Sequence, residues 1–447
     1  MKTVAAIAAE LVGYDPQALS VGGVGTFLSR LVEPVAQTEA VGILDALGRV
    51  LAQEVVSPIS VPAHDNSAMD GFALDGAELR ADTALRLRVV GTALAGKGWA
   101  GAVGAGECLK IMTGAILPAG LDTVVPQELV KVDGDTISIA AGLLARGDNR
   151  RCLGEDLLQG QPALQKGELL APAALGLLAS LGIETVLVWR KLRVAYFSTG
   201  DELLSLGQAP REGAVYDSNR YTVLGMLGKL GCEVLDLGVV RDEPALLEAA
   251  FVQAAAQADA IITSGGVSVG EADFTKAMMK KLGDVAFWKI AMRPGRPMAV
   301  GRILKAKFDS SRREASVSSY QKDSVTNTPE AAILFGLPGN PVAVMVTFLA
   351  FVRPALLQMM GARVRAQPLL KAHSMEVIRK KPGRTEFQRG IVRTAPDGSL
   401  QVEITGNQGS GVLRSMVQAN GLIVLHHDQG NVAVGDPVDV MMFDGAI

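Results

Sequence analysis

Apolar and polar positions change rhythm several times along the chain, and each change marks a structural unit. From Leu192 onward short apolar runs alternate with amphipathic stretches. LRVAYF predicts a buried strand and leads into STGDEL. SNRYTVLGMLGKLG predicts a helix capped by Asp217 or Ser218 and stopped by Gly231. EVLDLGVV predicts a second strand. EPALLEAAFVQAAAQ predicts a helix with Pro244 in its first turn, where the missing N–H costs nothing. ADAIIT predicts a third strand, followed by a glycine loop and the helix EADFTKAMMKKLG, and a fourth strand ends in KIAMRPGRP. Strands alternating with helices at this spacing predict a parallel, doubly wound α/β unit. Its ligands should sit beyond the carboxyl ends of the strands.

The remaining segments read differently. Residues 26–36 and 40–52 have helical patterns, and APAALGLLASLG (171–182) predicts another helix. Between Val55 and Ile139, short alternating runs such as LRLRVVG are punctuated by glycine, which predicts a small β-rich module. From about Gln367 the alternation in GLIVLHH and DPVDVMMF predicts a second one. Residues 307–330 are polar and serine-rich without periodicity, the composition of a flexible surface loop. The expected class is therefore multi-domain α/β: a doubly wound α/β domain, two smaller β-rich modules and a helical or mixed connecting domain. The expected divisions are an N-terminal extension (1–25), a discontinuous connecting domain (26–54 and 146–190) and a β-rich domain (55–145). The α/β domain (191–365) and a C-terminal β domain (366–447) follow.

Composition narrows the function. The chain has 447 residues, 49% of them hydrophobic, enough for several buried cores. A formal net charge of −3 argues against a nucleic-acid surface. Cys108, Cys152 and Cys232 form no CxxC pair, so neither a zinc site nor a disulfide framework is expected, and a reducing, cytoplasmic setting fits. The start, MKTVAAIAAELVGYD, gains Glu10 and Asp15 too soon for a signal peptide and reads as a weak helix or tail. The uncharged stretch 331–352 is long enough to span a bilayer, yet GLPGNP interrupts it; a strand, a turn and a buried helix are expected instead, and no membrane.

Candidate chemistry clusters at the expected strand ends. In TSGGVSVGEADFTK, Gly265, Gly266 and Gly270 permit close backbone approach by a ligand, and the following helix offers free N–H groups to an anion. Ser264 and Ser268 belong to the same loop. Asp201 and Glu202 follow the first strand, Asp242 the second, and Asp273 the glycine loop. Carboxylates gathered at one mouth repel unless a cation sits among them, and oxygen-only ligands favour magnesium; helix capping is the alternative, especially for Asp242. Lys289, Arg293 and Arg296 bring cations to the same edge, where proline and glycine preorganise the arginine forks for an oxyanion. Gly266-Val267-Ser268-Val269-Gly270 also matches the GxSxG nucleophile elbow, but the later histidines, His373, His426 and His427, fall in the C-terminal β module.

Taken together, PAHDNSAMDGFAL, LKIMTGAILPAGLDTVVPQE, GEDLLQG, FSTGDEL, VYDSNRY, VVRDEP, TSGGVSVGEADFTK, KIAMRPGRPMAVG, LPGNPV, GRTEFQRG, NQGSG and ANGLIVL occur in order over most of the chain. This set resembles the molybdopterin molybdotransferase family, of the MoeA type and related to the E domain of gephyrin. The resemblance implies a two-fold homodimer of four-domain subunits, with each cleft facing the second domain of the partner. The implied reaction consumes adenylyl-molybdopterin and molybdate in the presence of Mg2+ and releases AMP and the molybdenum cofactor. The adenylyltransferase that makes the substrate is an implied partner. By motif, Glu202, Asp242 and Asp273 are the implied catalytic and magnesium positions, and Lys289 and Arg293 the implied phosphate and molybdate contacts. Arg389 and Ser410 are implied contributions of the last domain, and Asp65, Thr113 and Asp156 match further positions needed for activity. Three departures stand out: Ala343 in LPGNPVA where the family usually has serine, Arg293 and Arg296 where it often has lysines, and the long 307–330 segment.

Overall fold

The structure, a computed structural model, describes residues 2–267, 274–305, 330–363 and 366–443. Its centre is a six-stranded sheet made of β1 (Arg193–Thr199), β2 (Glu233–Val240), β3 (Ala260–Ser264), β4 (Gly283–Lys289), β5 (Pro297–Leu304) and β6 (Ala331–Leu337). The spatial order is β2-β1-β3-β6-β5-β4. β2, β1, β3 and β6 are mutually parallel, as the strand–helix alternation predicts. β5 departs from that expectation, pairing antiparallel with both β6 and β4. The reason lies in the connection: residues 290–296 form a short loop, and a parallel return needs a crossover of roughly a dozen residues or more. Two successive reversals restore the direction of β4, so Lys289 ends at the same edge as Thr199, Val240 and Ser264.

The flanking helices are α1 (Ser218–Lys229), α2 (Pro244–Gln257), α3 (Phe274–Leu282) and α4 (Pro341–Thr347). Asp217 caps α1 by accepting from the Arg220 N–H at 3.1 Å, and Gly231 follows its end at φ +74°. The uncharged 331–352 stretch resolves, as expected, into β6, a turn and α4. The helix from Pro341 to Met359 is apolar and long enough to cross a membrane, but 72% of its window is buried inside the fold, so it serves as a core helix. One sheet face packs Tyr196, Ile262 and Phe335 against α1 and α4; the other packs Phe197, Ile261 and Leu334 against α2 and α3.

The N-terminal residues are part of this core rather than a free tail. Helices Val4–Ala9 and Val21–Leu31 bury Ile7, Val24 and Phe27 completely, and Phe27 meets Trp288 edge to face at 4.8 Å. Arg302, on β5, donates to the carbonyls of Lys2 and Leu31. Leu19 bridges Ile290, continuing the sheet beyond β4. The helical pattern expected at 26–36 is thus shifted to Val21–Leu31, despite three glycines. Ser20 caps it through the Gly23 N–H at 3.1 Å, and Val24, Phe27, Leu28 and Leu31 supply the buried stripe. Pro34 disfavours helix at Glu33 and stops it. Residues 40–52 are not helical either. Thr38–Gly42 is a strand paired antiparallel with Thr185–Trp189, a partner that local periodicity cannot reveal.

Two further sheets complete the described chain. Strands between Gly71 and Ile139 form a six-stranded sheet in the region expected to be β-rich. Near the C-terminus, Thr385–Thr394, Leu400–Ile404, Leu370–Ser374, Pro437–Met442 and Gly421–Leu425 pair in that order, and the last pairs back with the first to close a barrel. Met292–Arg293, in the loop after β4, adds to this barrel beside Thr385 and Glu386. All but Glu330 of the polar 307–330 segment lies outside the described residues.

Ile7→Ala should cost about 2–5 kcal/mol in denaturant unfolding, the usual penalty for truncating a buried side chain. A change within about 0.5 kcal/mol, typical of an unpacked surface residue, would mean that the N-terminal segment is not part of the core.

Candidate active site at the carboxyl edge of the sheet

The sheet winds away in two directions from the gap between β1 and β3, the place where open α/β sheets hold ligands. The turn after β3 is packed hard against the end of β1. A Cβ on Gly265 (φ +90°) would lie 2.4 Å from the Thr199 carbonyl oxygen, and one on Gly266 (φ +65°) 2.5 Å from Thr275 Cβ. Only glycine fits both positions. Beneath the turn, Tyr196 Oη, Ser198 Oγ and Ser264 Oγ form a closed, buried triangle of hydroxyl hydrogen bonds. Ser264 therefore braces the loop rather than facing a ligand with a free hydroxyl.

The carboxylates gather above. Thr199 and Thr275 both donate to Oδ1 of Asp242, Thr275 at 3.4 Å, so the carboxylate is oriented with Oδ2 left over. The Asp242 N–H reaches Asp201 Oδ1 at 3.4 Å. Glu202 folds back over Gly200, where a Cβ would meet its Oε2 at 2.5 Å. Ser268, Gly270 and Asp273 fall outside the described residues. Among the described residues no three His, Cys, Asp or Glu side chains lie close enough to hold a metal ion.

Three cations stand along the same edge. Lys289 ends β4 half-buried, while Arg293 and Arg296 are exposed in the loop that follows. None of the three takes part in an ion pair among the described residues. The loop rests on α4: a Cβ on Gly295 would sit 2.6 Å from Thr347 Cγ2 and 3.5 Å from the Ala343 carbonyl. Ala343 is itself buried under this loop.

Arg389, the implied contribution of the last domain, lies on the C-terminal barrel. It is 1% exposed, with Nε donating to Ser415 Oγ at 2.9 Å and Nη2 to the carbonyls of Asn407 and Gly409. Its guanidinium brackets the loop that carries Ser410. Burial, with Arg293 nearby, pushes its pKa down to about 10. The Ser410 carbonyl in turn accepts from the Val342 N–H in α4 at 3.1 Å, joining barrel to α/β domain. Sequence reasoning also passed over Asn219, whose amide donates to the Gly339 carbonyl at 2.7 Å and is 7% exposed. A polar residue in the first turn of a helix looks like ordinary capping, and only burial distinguishes it.

Asp65, Thr113 and Asp156 lie together on the rim of the 71–139 sheet and its neighbouring loops. Asp65 pairs with Arg150 at 2.7 Å and accepts from the Leu153 N–H; Asp156 is exposed, with its N–H on the Val61 carbonyl. Thr113 donates both its N–H and its hydroxyl to one oxygen of Asp70, which holds that carboxyl below its ordinary pKa. Within the chain, no hydrogen bond or ion pair among the described residues links this rim to the carboxyl edge. On the GxSxG alternative, His426 is bound to Asp439 on the barrel and His373 to the Gly435 carbonyl.

A multi-domain protein with a doubly wound α/β domain and β-rich modules is the class these features define, and the comparisons place it among transferases. Residues 19–182 match the MoeA N-terminal region (domains I and II), 195–358 a probable molybdopterin binding domain, and 371–443 the MoeA C-terminal region (domain IV). The chain is 40% identical over 409 residues to a molybdopterin molybdenumtransferase of Haemophilus influenzae, covering 91% of this chain and 94% of that one. It is 32% identical to the Bacillus subtilis enzyme of that name, covering 91% and 90%. The crystal structure of a molybdopterin biosynthesis MoeA protein from Pyrococcus horikoshii OT3 superposes with a TM-score of 0.74 at 26% identity, over 95% of this chain and all of that one. The chain belongs to the molybdopterin molybdenumtransferase family.

If Arg389 brackets the 407–410 loop, Arg389→Lys should loosen that loop while keeping the charge, because an ammonium cannot reproduce the planar fork. Hydrogen exchange should speed up at residues 405–411, with a stability loss of about 1–3 kcal/mol. Unchanged exchange there would show that the loop is held by other contacts.

Proposed function

We propose that the chain inserts molybdate into adenylyl-molybdopterin with release of AMP, with the help of magnesium, as a cytoplasmic homodimer that receives its substrate from the adenylyltransferase that makes it. The observation that carries this reading is the charge arrangement of one edge. Lys289, Arg293 and Arg296, which have no ion-pair partner among the described residues, follow β4 at the same carboxyl end of the sheet at which Asp201, Glu202 and Asp242 follow β1 and β2, and the tight glycine turn follows β3. Cleaving a phosphoanhydride requires positioned cations for the phosphate oxygens and an oxygen-lined place for a metal. The cations and the carboxylates at this end of the sheet are side chains of those two kinds.

The division of labour follows from the contacts. Lys289, Arg293 and Arg296 orient the diphosphate and the molybdate dianion, each a group that fixed cations must hold as it leaves water. The turn at Gly265 and Gly266 admits the ligand backbone-close, and Ser264 keeps the turn in place; Ser268 and Gly270 are proposed as further substrate contacts and Asp273 as a further catalytic carboxylate. Asp242, fixed by two hydroxyls, and Glu202 are oxygen donors of the kind magnesium accepts while keeping several of its waters. When bound, the metal would neutralise and polarise the phosphoanhydride oxygens. Arg389 acts through the loop it brackets, which sets the position of Ser410. The rim carrying Asp65, Thr113 and Asp156 would complete the cleft of a second copy.

Asp242→Asn should leave the fold intact and lower AMP release on the order of 10²-fold or more, because the cation-holding charge is lost while the hydroxyl contacts remain possible. Near-wild-type turnover at limiting magnesium would remove Asp242 from the site. The shared cleft makes a separate prediction. Asp65→Asn and Asp242→Asn, each inactive alone, should recover about a quarter of wild-type turnover when equal amounts are reassembled. Half of the dimers would then carry one intact cleft of two. No recovery above the two parents would mean that each cleft is built within one chain.

A further inference from the structure

Among the described residues, two buried acceptors beside the glycine turn have no partner. Asp217 is 3% exposed; its Oδ1 accepts from the Arg220 N–H, whereas Oδ2 is buried with no hydrogen bond. Asn219 is 7% exposed; its Nδ2 is committed to the Gly339 carbonyl, and its Oδ1 is buried without a partner. Both belong to the start of α1, at the carboxyl edge of β1. Gly339, which Asn219 grips, faces Gly265: a Cβ on Gly339 would lie 4.0 Å from Gly265 Cα. A buried acceptor without a donor, above all a carboxylate oxygen, costs enough that it calls for a partner.

We infer that Asp217 and Asn219 read the amino-pyrimidinone edge of the pterin, taking its 2-amino and ring N–H donors. This rests on the substrate reading above and deepens it. The argument is one of matching donors to acceptors. The pair offers two unpartnered acceptors, one of them a carboxylate oxygen; Asn219 Nδ2 has two hydrogens, one of which is committed to the Gly339 carbonyl. The neighbouring hydroxyls of Tyr196, Ser198 and Ser264 are bonded to one another, so they add no free donor. The amino-pyrimidinone edge of a pterin presents two adjacent N–H donors, which suits a carboxylate. Adenine, the other heterocycle of the substrate, presents an amino donor next to a ring-nitrogen acceptor, and the Asp217 carboxylate has no donor to give that acceptor. Recognition of this kind discriminates strongly, because a ligand lacking the donor leaves the acceptors unpaired.

Fluorescence titration of the full chain with 6-hydroxymethylpterin, its lumazine analogue (carbonyl in place of the 2-amino group) and AMP tests the assignment. Wild type should prefer the pterin over the lumazine by about tenfold or more, the value of a charge-assisted bond. Asp217→Asn keeps an acceptor for the helix cap but replaces the charged oxygen; it should abolish that preference and leave AMP affinity within about twofold. Asn219→Asp, which retains an acceptor, should keep the preference. If wild type binds AMP yet treats pterin and lumazine alike, or if Asp217→Asn keeps the preference, the inference is wrong and the substrate reading stands. If Asp217→Asn loses AMP instead, the pair reads adenine and the inference is equally wrong. If wild type binds neither pterin nor AMP, the substrate reading fails and takes this inference with it.

Discussion

The turn after β3 passes so close to the end of β1 that the Thr199 carbonyl occupies the space a Cβ on Gly265 would need, and Thr275 does the same for Gly266. That approach is the constraint on which the site depends. It brings Thr199 and Thr275 within reach of one Asp242 oxygen, so a carboxylate from β2 is oriented by hydroxyls from two other elements. It also places the Gly339 turn, and through it Asn219, against the same wall. Any side chain at Gly265 would have to push β1 and β3 apart, and the contacts built on their spacing would be lost with it.

Across the fold the charges are distributed unequally, and the inequality has a structural cause. Arg190 and Asp259, Arg220 and Asp236, and Arg384 and Glu386 neutralise one another at 2.7 Å. Lys289, Arg293 and Arg296 have no such partner among the described residues: the loop after β4 is held by a two-residue strand added to the C-terminal barrel and by Gly295 pressed onto α4. Its backbone is fixed by those contacts, with no acidic side chain among the described residues paired to the three cations. Arg389 adds a fourth positive charge from behind, buried and spent on carbonyl groups. A buried guanidinium is tolerated there because three of its possible bonds are made. It strengthens the local field and fixes the loop bearing Ser410, two effects that follow from one placement.

The strand–helix rhythm from Leu192 to Lys289 was legible because each of those elements is buried by a pattern contained in its own length: apolar runs for strands, capped amphipathic stretches for helices. Candidate site groups could be named for the same reason, since glycine after a strand and an acid before a helix carry their local meaning with them. What the chain order left open was decided by partners far away in sequence. Thr38–Gly42 is a strand because Thr185–Trp189 lies beside it. The N-terminal helices are core because β4, β5 and Arg302 offer them a surface. β5 runs against its neighbours because its connection to β4 is short, and that same reversal returns Lys289 to the functional edge.

By itself, then, the sequence determined which residues could do the chemistry and in what secondary-structure setting, because propensity, capping and glycine geometry act over a few residues. Only the tertiary structure decided which of them are free to act. Burial and hydrogen-bond partners are properties of a whole packed neighbourhood: they set Arg389 against the carbonyls of Asn407 and Gly409 and tie Ser264 to Tyr196 and Ser198. Among the described residues, the same packing leaves Asp217 Oδ2 and Asn219 Oδ1 as acceptors without a donor.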